Sequence, residues 1–288
     1  MPTRSRLIQS SRVAKRRRKA RLRQILFLLC MAVPAFAIIV GLTHLNVVHI
    51  TSVTVSGNVT TNSSDITAIA NEDISGNYFA FFSRSNAFLY PKQKISTDIL
   101  NTFKTLSTVS VGEVNLHTIQ ISVTERQPFA MWCGATPPAG TSDASSSSLT
   151  TTSSCYFFDQ TGFLYSAAPD LVVTPFLKYY GPLSSDANAN PIGQTYLSST
   201  TLAGISNFIE VLAEGSTTAV SFSMPTATEY EIDTASSTKI YLDPQHSFTD
   251  DLSNLSTVLN NPTLQISSVD ILQYLDLRLD DKVFYKLK

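Results

Sequence analysis

Ten lysines and arginines between Arg4 and Arg23 run, without a single acid, up to a chargeless apolar stretch from Ile25 to Leu42. No other feature constrains the chain as strongly. The stretch is 18 residues long, and Thr43, His44 and Leu45 extend it to about the 20 residues that cross a hydrocarbon core of roughly 30 Å. Basic side chains stay on the cytoplasmic side of a single span, and the next one after Arg23 is Arg84. Residues 1–24 therefore read as a cytoplasmic tail, 25–45 as a transmembrane helix, and the rest as extracytoplasmic. Pro34 is compatible with such a helix. A cleaved signal peptide competes, because Ala35, Phe36 and Ala37 form a small-x-small site, but the apolar run continues through Ile38, Ile39 and Val40. Lying against the span, the basic tail suits anionic lipid better than nucleic acid.

The formal net charge of -1 conceals a split, since the tail holds ten of the 21 basic residues and none of the 22 acids. Residues beyond the tail carry about eleven negative charges in excess. Such an acidic body is a poor partner for nucleic acid and a poor candidate for lying on anionic lipid. Of the 3 cysteines, Cys30 falls in the apolar run as a small apolar residue. Cys133 and Cys155 flank Gly134 to Ser154, a Ser/Thr-rich segment with one large aliphatic, Leu149, and no aromatic. That segment cannot bury a core and reads as a flexible excursion. Two cysteines at its feet, outside the membrane, suggest a disulfide that contributes about 3 kcal/mol. Two free thiols remain the alternative, whereas a metal site lacks ligands at the right spacing.

Beyond the span, Val53 and Val55 alternate with Ser52 and Thr54 and stop at Ser56, Gly57 and Asn58, as a strand and turn do. Ile66, Ile69, Ala70 and Ile74 share one helical face behind Ser63 and Ser64. A second helix is expected after Ser96 and Thr97, with Ile95, Ile99, Phe103 and Leu106 on one side. A short strand through Val109 and Val111 follows, and then a cleaner one in which Ile119, Ile121 and Val123 alternate with polar residues. Glu125 and Arg126 read as solvated charges at its end, where Pro128 stops the ladder. Tyr156 to Asp159 and Phe163 to Ser166 flank a turn at Gly162 and form a hairpin. Helices are expected at Leu202 to Leu212 and Phe248 to Leu259, with strands at Val220 to Met224, Tyr230 to Asp233, Lys239 to Leu242, Tyr274 to Leu279 and Val283 to Leu287.

Catalytic chemistry leaves no signature. His44, His49, His117 and His246 have no metal-helix spacing, and there is no phosphate loop, nucleophile elbow or Cys-His pattern. Glu229, Glu231 and Asp233 alternate onto one solvated face, and Asp270, Asp276, Asp280 and Asp281 read as surface and turn acids.

A strand-helix-helix-strand-strand unit directly outside a single membrane helix, closing with Val123-Thr124-Glu125-Arg126-Gln127-Pro128-Phe129-Ala130, resembles the POTRA domain of the bacterial division proteins FtsQ and DivIB. The Asp159 to Gly162 hairpin and the Asp276-Leu277-Arg278 strand, followed by a last strand, resemble the β domain of that family. The resemblance implies an α+β chain: a POTRA domain over residues 46–128, then a mixed, mostly antiparallel β domain over 129–288 with helices on one side. The insertion at 134–154 and its two cysteines depart from the family pattern. It further implies a non-enzymatic scaffold without cofactors, single-pass in the inner membrane at the division septum, that binds the coiled-coil proteins FtsB and FtsL. Through them it would influence septal peptidoglycan synthesis, and the POTRA domain would meet other divisome components. Tyr274, Arg278 and the last strand, Val283, Phe284, Tyr285, Lys286 and Leu287, are the expected partner-binding residues. The expected mode is strand addition at an exposed edge, with Phe284 and Tyr285 as anchors. An edge that is merely solvated is the plainer reading, and a membrane-anchored POTRA chaperone or secretion factor is the functional alternative.

The charge asymmetry generates a topology prediction. Proteases or thiol probes applied from outside the membrane should reach residues beyond Asn46 and never those before Gln24, while a soluble chain beginning near Ile38 would establish cleavage.

Overall fold

The computed structural model of the chain describes residues 11–43, 46–79, 81–138, 155–169, 175–183, 190–261, 264, 266, 268–279 and 282–288. It is an α+β structure with one N-terminal apolar helix, a small three-stranded sheet and a large mixed sheet. Two compact units divide it, Met1–Phe103 with Thr108–Thr124, and Lys104–Ser107 with Glu125–Lys288. The excursion from Ala139 to Ser154, the turn acids Asp280 and Asp281, and His44 and Leu45 at the expected end of the span lie outside the described residues.

Helix α1 (Ser11–Thr43) continues through the basic stretch into the apolar one, so it begins well before the apolar run and, at 33 residues, is about 50 Å long. Over Arg21–Ile38 it is long and apolar enough to cross a membrane, and none of that window is buried against protein.

In the first unit the order is β1 (Ser52–Ser56), α2 (Ser63–Ile74), a hairpin of β2 (Asn77–Tyr78) and β3 (Phe82–Ser83), α3 (Lys92–Thr102), β4 (Leu106–Asn115) and β5 (Thr118–Glu125). Strand β5 is central, with β1 parallel on one side and β4 on the other. Its inward residues Ile119, Ile121 and Val123 are buried, as are Ile66 and Ala70 of α2 and Ile95 and Ile99 of α3. Gly57, with φ near +88°, permits the turn after β1, because a Cβ there would lie 2.1 Å from the Val123 carbonyl oxygen. Helix α2 is capped by Asn62, whose side chain accepts from the Ser64 N–H at 3.2 Å. Helix α3 starts earlier than its sequence suggests, at Lys92 behind Pro91. Ser96 lies inside it and donates to the Val109 carbonyl at 3.0 Å, Phe103 is its C-cap, and Leu106 belongs to β4, which is ten residues rather than short.

The second unit contains β6 (Ala130–Trp132), β7 (Tyr156–Phe158), β8 (Leu164–Ala167), β9 (Lys178–Tyr180), α4 (Ser199–Glu214), β10 (Ala219–Thr226), β11 (Glu229–Thr234), β12 (Lys239–Leu242), α5 (Phe248–Leu259), β13 (Leu272–Leu279) and β14 (Lys282–Leu287). They form one nine-stranded sheet in the order β14-β13-β12-β11-β10-β9-β6-β7-β8. The β12–β13, β9–β10 and β6–β9 pairs are parallel and the others antiparallel. One face carries the main core, in which Leu202, Ile205, Phe208 and Leu212 of α4 and Leu255 and Val258 of α5 meet Phe158, Tyr179, Phe222, Ile232, Ile240 and Leu275 from the strands. Removing one of its large aromatics, such as Phe208, costs about 3 to 5 kcal/mol at a site this buried. Two of its aromatics have their polar tips satisfied, Trp132 by the Gly181 carbonyl at 3.0 Å and Tyr196 by the Tyr180 carbonyl at 2.7 Å. Behind β6, β7 and β9 a smaller cluster of Met131, Cys133, Tyr180, Phe157 and Phe176 covers the opposite face. There Cys133 and Cys155 form a disulfide, with Cα atoms 4.2 Å apart.

Arg126 is not a solvated charge. Its guanidinium donates to the Asp159 carboxylate and, through Nε, to the Lys104 carbonyl at 3.2 Å, while lying 4.2 Å from the centre of the Phe163 ring. Asp159 in turn accepts from the Thr161 hydroxyl at 2.5 Å and the Thr161 N–H at 2.8 Å, which closes the turn at Gly162. Burial raises the Asp159 carboxyl, but the hydrogen bonds from Thr161 and Arg126 outweigh it and leave its pKa below the ordinary aspartate value. A depressed carboxyl contributes stability that is present above the unfolded pKa and is lost as pH falls through the folded one. Arg126→Ala should therefore cost about 2 to 3 kcal/mol at pH 7. The gap between the wild-type and Asp159→Asn urea midpoints should close as the pH is taken below about 4.

Candidate functional site

A sheet that does not close leaves two edges, and here they are β8 and β14. Among the described residues strand β14 pairs only on its β13 side, with Tyr274 opposite Lys286, Leu275 opposite Tyr285 and Asp276 opposite Phe284. Side chains alternate between faces along a strand, so this register decides what the edge can offer. Leu275 is buried, and Tyr285 and Val283 pack beside it against the main core. Tyr285 is thus an inward-facing residue rather than the second outward anchor expected beside Phe284. Phe284 keeps 50% of its surface exposed on the opposite face, together with Lys286, Tyr274 and Arg278. Leu287, across from Leu272, is also exposed. Of the seven expected residues, four share the outer face, two serve the core, and Leu287 stands at the strand's end.

Electrostatics organises that outer face. Arg278 grips Asp276 with two hydrogen bonds, Nε to Oδ1 at 2.8 Å and Nη2 to Oδ2 at 2.6 Å, and reaches Glu229 at 3.4 Å. Hydrogen bonding from Arg278 holds the Asp276 carboxyl below the usual range despite partial burial. The same guanidinium lies 5.3 Å from the centre of the Tyr241 ring, and that ring lies 6.5 Å from Tyr274. Lys239 pairs with Glu231 and, at 3.2 Å, with Asp233. The acids Glu229, Glu231 and Asp233 do share one face, but as members of a cross-strand ion ladder with two cations. Lys239 and Tyr241 were not among the expected site residues. Their signal was legible, since they alternate with the buried Ile240 and Leu242.

Strand β14 therefore presents unpaired backbone groups beside an exposed phenylalanine, two tyrosines and a partly neutralised charge ladder. This is the chemistry of peptide recognition by strand addition, in which the backbone supplies affinity and alternate side chains supply selectivity. Comparison with protein-family models and with curated proteins finds no match to the chain. Its function must then be read from its own residues. Among the described residues there is no group of three or more His, Cys, Asp or Glu able to hold a metal ion. A cleft of about 550 Å³ between α4 and the Gly162 turn, lined by Phe129, Thr161, Leu202 and Ser206 among others, contains one ionisable side chain, Glu210.

The two aromatic neighbours on β14 should separate cleanly in a stability measurement. Phe284→Ala should leave the urea midpoint within about 0.5 kcal/mol of wild type, whereas Tyr285→Ala should cost about 1 to 3 kcal/mol, because only the latter removes core contacts.

Proposed function

We propose that the chain is a membrane-anchored scaffold of the FtsQ/DivIB type, with a POTRA domain followed by a β domain, that binds small single-pass coiled-coil proteins such as FtsB and FtsL. In this reading α1 holds it in the inner membrane with its N terminus in the cytoplasm. The second unit captures a partner segment as an added strand on β14, and the assembly works at the division septum on septal peptidoglycan synthesis. The placement of β14 at a sheet edge carries the reading, because an edge strand beside the exposed Phe284 offers backbone donors and acceptors to another chain. The element order of the first unit supports it, two helices preceding a β4–β5 pair with β1 added in parallel, as do the motifs at Glu125 to Ala130 and Asp276 to Arg278. Arg126, in that motif, serves structure by bracing the Asp159 turn. The first unit remains available for other divisome components.

Single prolines along Val283 to Leu287 test it. Proline removes one backbone donor, so those facing β13 should unfold the edge while those facing outward leave folding intact. Outward variants that retain a cooperative thermal transition should lose pull-down of the coiled-coil partners. Phe284→Ala should weaken binding by about 1 to 2 kcal/mol, roughly 5- to 30-fold. Full affinity in every well-folded variant would place the interface elsewhere, and a fluorescent fusion spread evenly around the cell would remove the septal assignment.

A further inference from the structure

The first unit carries an apolar surface that its own core does not use. Between α2 and α3, Phe79 is 89% exposed, Phe88 74% and Phe81 53%, and Leu89 is exposed beside them. Phe79 even adopts φ of +48°, a left-handed conformation that bulky residues avoid, in order to project from the tip of the β2–β3 hairpin. Three neighbouring exposed phenylalanines make an apolar patch of the kind that marks an interaction surface.

Depth decides what meets them. An α-helix rises 1.5 Å per residue, so Phe36, six residues before the end of the apolar run at Leu42, lies about 9 Å below that end. The rings of Phe81 and Phe82 pack edge-on against Phe36, with centroids 6.0 and 5.9 Å from it. With α1 across a bilayer, those two rings are necessarily inside its outer half. The segment is fastened there by three hydrogen bonds: the Asn86 side-chain amide donates to the Thr43 carbonyl at 3.1 Å, the Ala87 N–H to the Val48 carbonyl at 2.8 Å, and the Ile50 N–H to the Ser85 carbonyl at 2.7 Å.

Charge agrees locally although it disagrees globally. The region beyond the tail is acidic, yet no Asp or Glu occurs between Asp73 and Asp98. Arg84 sits at the foot of the hairpin, 5.1 Å from the centre of the Tyr78 ring. Among the described residues no carboxylate forms an ion pair with it. A lipid phosphate is the partner that an arginine at this depth would find.

We propose that the segment from Asn77 to Tyr90 is a membrane-seating loop: Phe79, Phe81 and Phe88 enter the outer half of the bilayer and Arg84 pairs with lipid phosphate, so that the first unit sits on the membrane. The proposal rests on α1 spanning the bilayer, and it is independent of any partner bound at β14. Lipid is favoured over a protein because Phe36, which begins the aromatic cluster, already belongs to the span. Interfacial aromatics of this kind bury several ångströms into the headgroup and acyl boundary.

The test uses the full-length protein in phosphatidylcholine and phosphatidylglycerol vesicles, with an environment-sensitive fluorophore on single thiols and nitroxide-labelled lipid as quencher. Native Cys30, free and within the span, marks the helix, while Cys133 and Cys155 are joined and do not react. Phe79→Cys and Phe88→Cys, each in a Cys30→Ser background, report the loop. Val59→Cys, beyond the end of β1 and so about 17 Å further along the strand from the membrane side, is the control. Labels at 30, 79 and 88 should be quenched about twofold or more and that at 59 left unquenched. Quenching at 30 with labels at 79 and 88 as bright as that at 59 would overturn the loop, make the patch a protein-docking face, and leave the anchor standing. No quenching at 30 would overturn the anchor and the loop together.

Discussion

Burial of one face of the nine-stranded sheet under α4 and α5 is the constraint from which the rest of the second unit follows. Once Ile232, Ile240 and Leu275 point toward those helices, the alternation of strand side chains sends their neighbours on β11, β12 and β13 to the opposite, more exposed face. Over these three strands the outer face is polar, and its acids and cations satisfy one another rather than facing solvent singly. Individually such exposed pairs contribute little, but a ladder fixes several long side chains at once. The same geometry makes the edge informative, because Phe284 and Tyr285, adjacent in sequence, cannot both face a partner.

The first unit obeys the same logic on a smaller scale. Three strands and two helices bury Ile119, Ile121, Val123, Ile66 and Ile95, and the buried Asp73 gains a charged partner in Lys94 of α3. Lys94 also pairs with Asp98 one turn on at 2.6 Å, and Lys92, at the start of the same helix, pairs with Glu113 of β4 at 2.6 Å. Polar bracing at the surface and apolar burial beneath it are thus arranged by the same two helices.

How much of this was legible depended on periodicity and length. Strands β5, β11 and β12 and helices α4 and α5 show clean period-2 or period-3.6 patterns and fall where the sequence places them. Strands β6 and β9 do not show one, because both of their faces are covered: Ala130, Met131 and Trp132 are all buried, and no alternation exists to be read. The β2–β3 hairpin has only two residues per strand. The start of helix α3 is hidden in the sequence because Pro91 begins it without a capping side chain, so that Ser96 and Thr97 are the stronger local signal. In the candidate site, the last strand and the face it shares with Tyr274 and Arg278 could be read from alternation. Which side of β14 meets the core could not, since Val283, Phe284, Tyr285 and Leu287 are all large and apolar. Arg126 looked like a strand-end charge, and only the fold of the Asp159 turn brings its acid within reach.

The connection between α1 and β1 has a mechanical meaning. Thr43 and Val48 each receive a hydrogen bond from the 85–87 segment, and His49 bridges Asn86. A helix joined to its domain by a slack tether can spin about its own axis without consequence. Stitched in this way, the last turn of α1 is held in register with the three-stranded sheet's unit, so that a twist applied to the helix would turn the sheet with it.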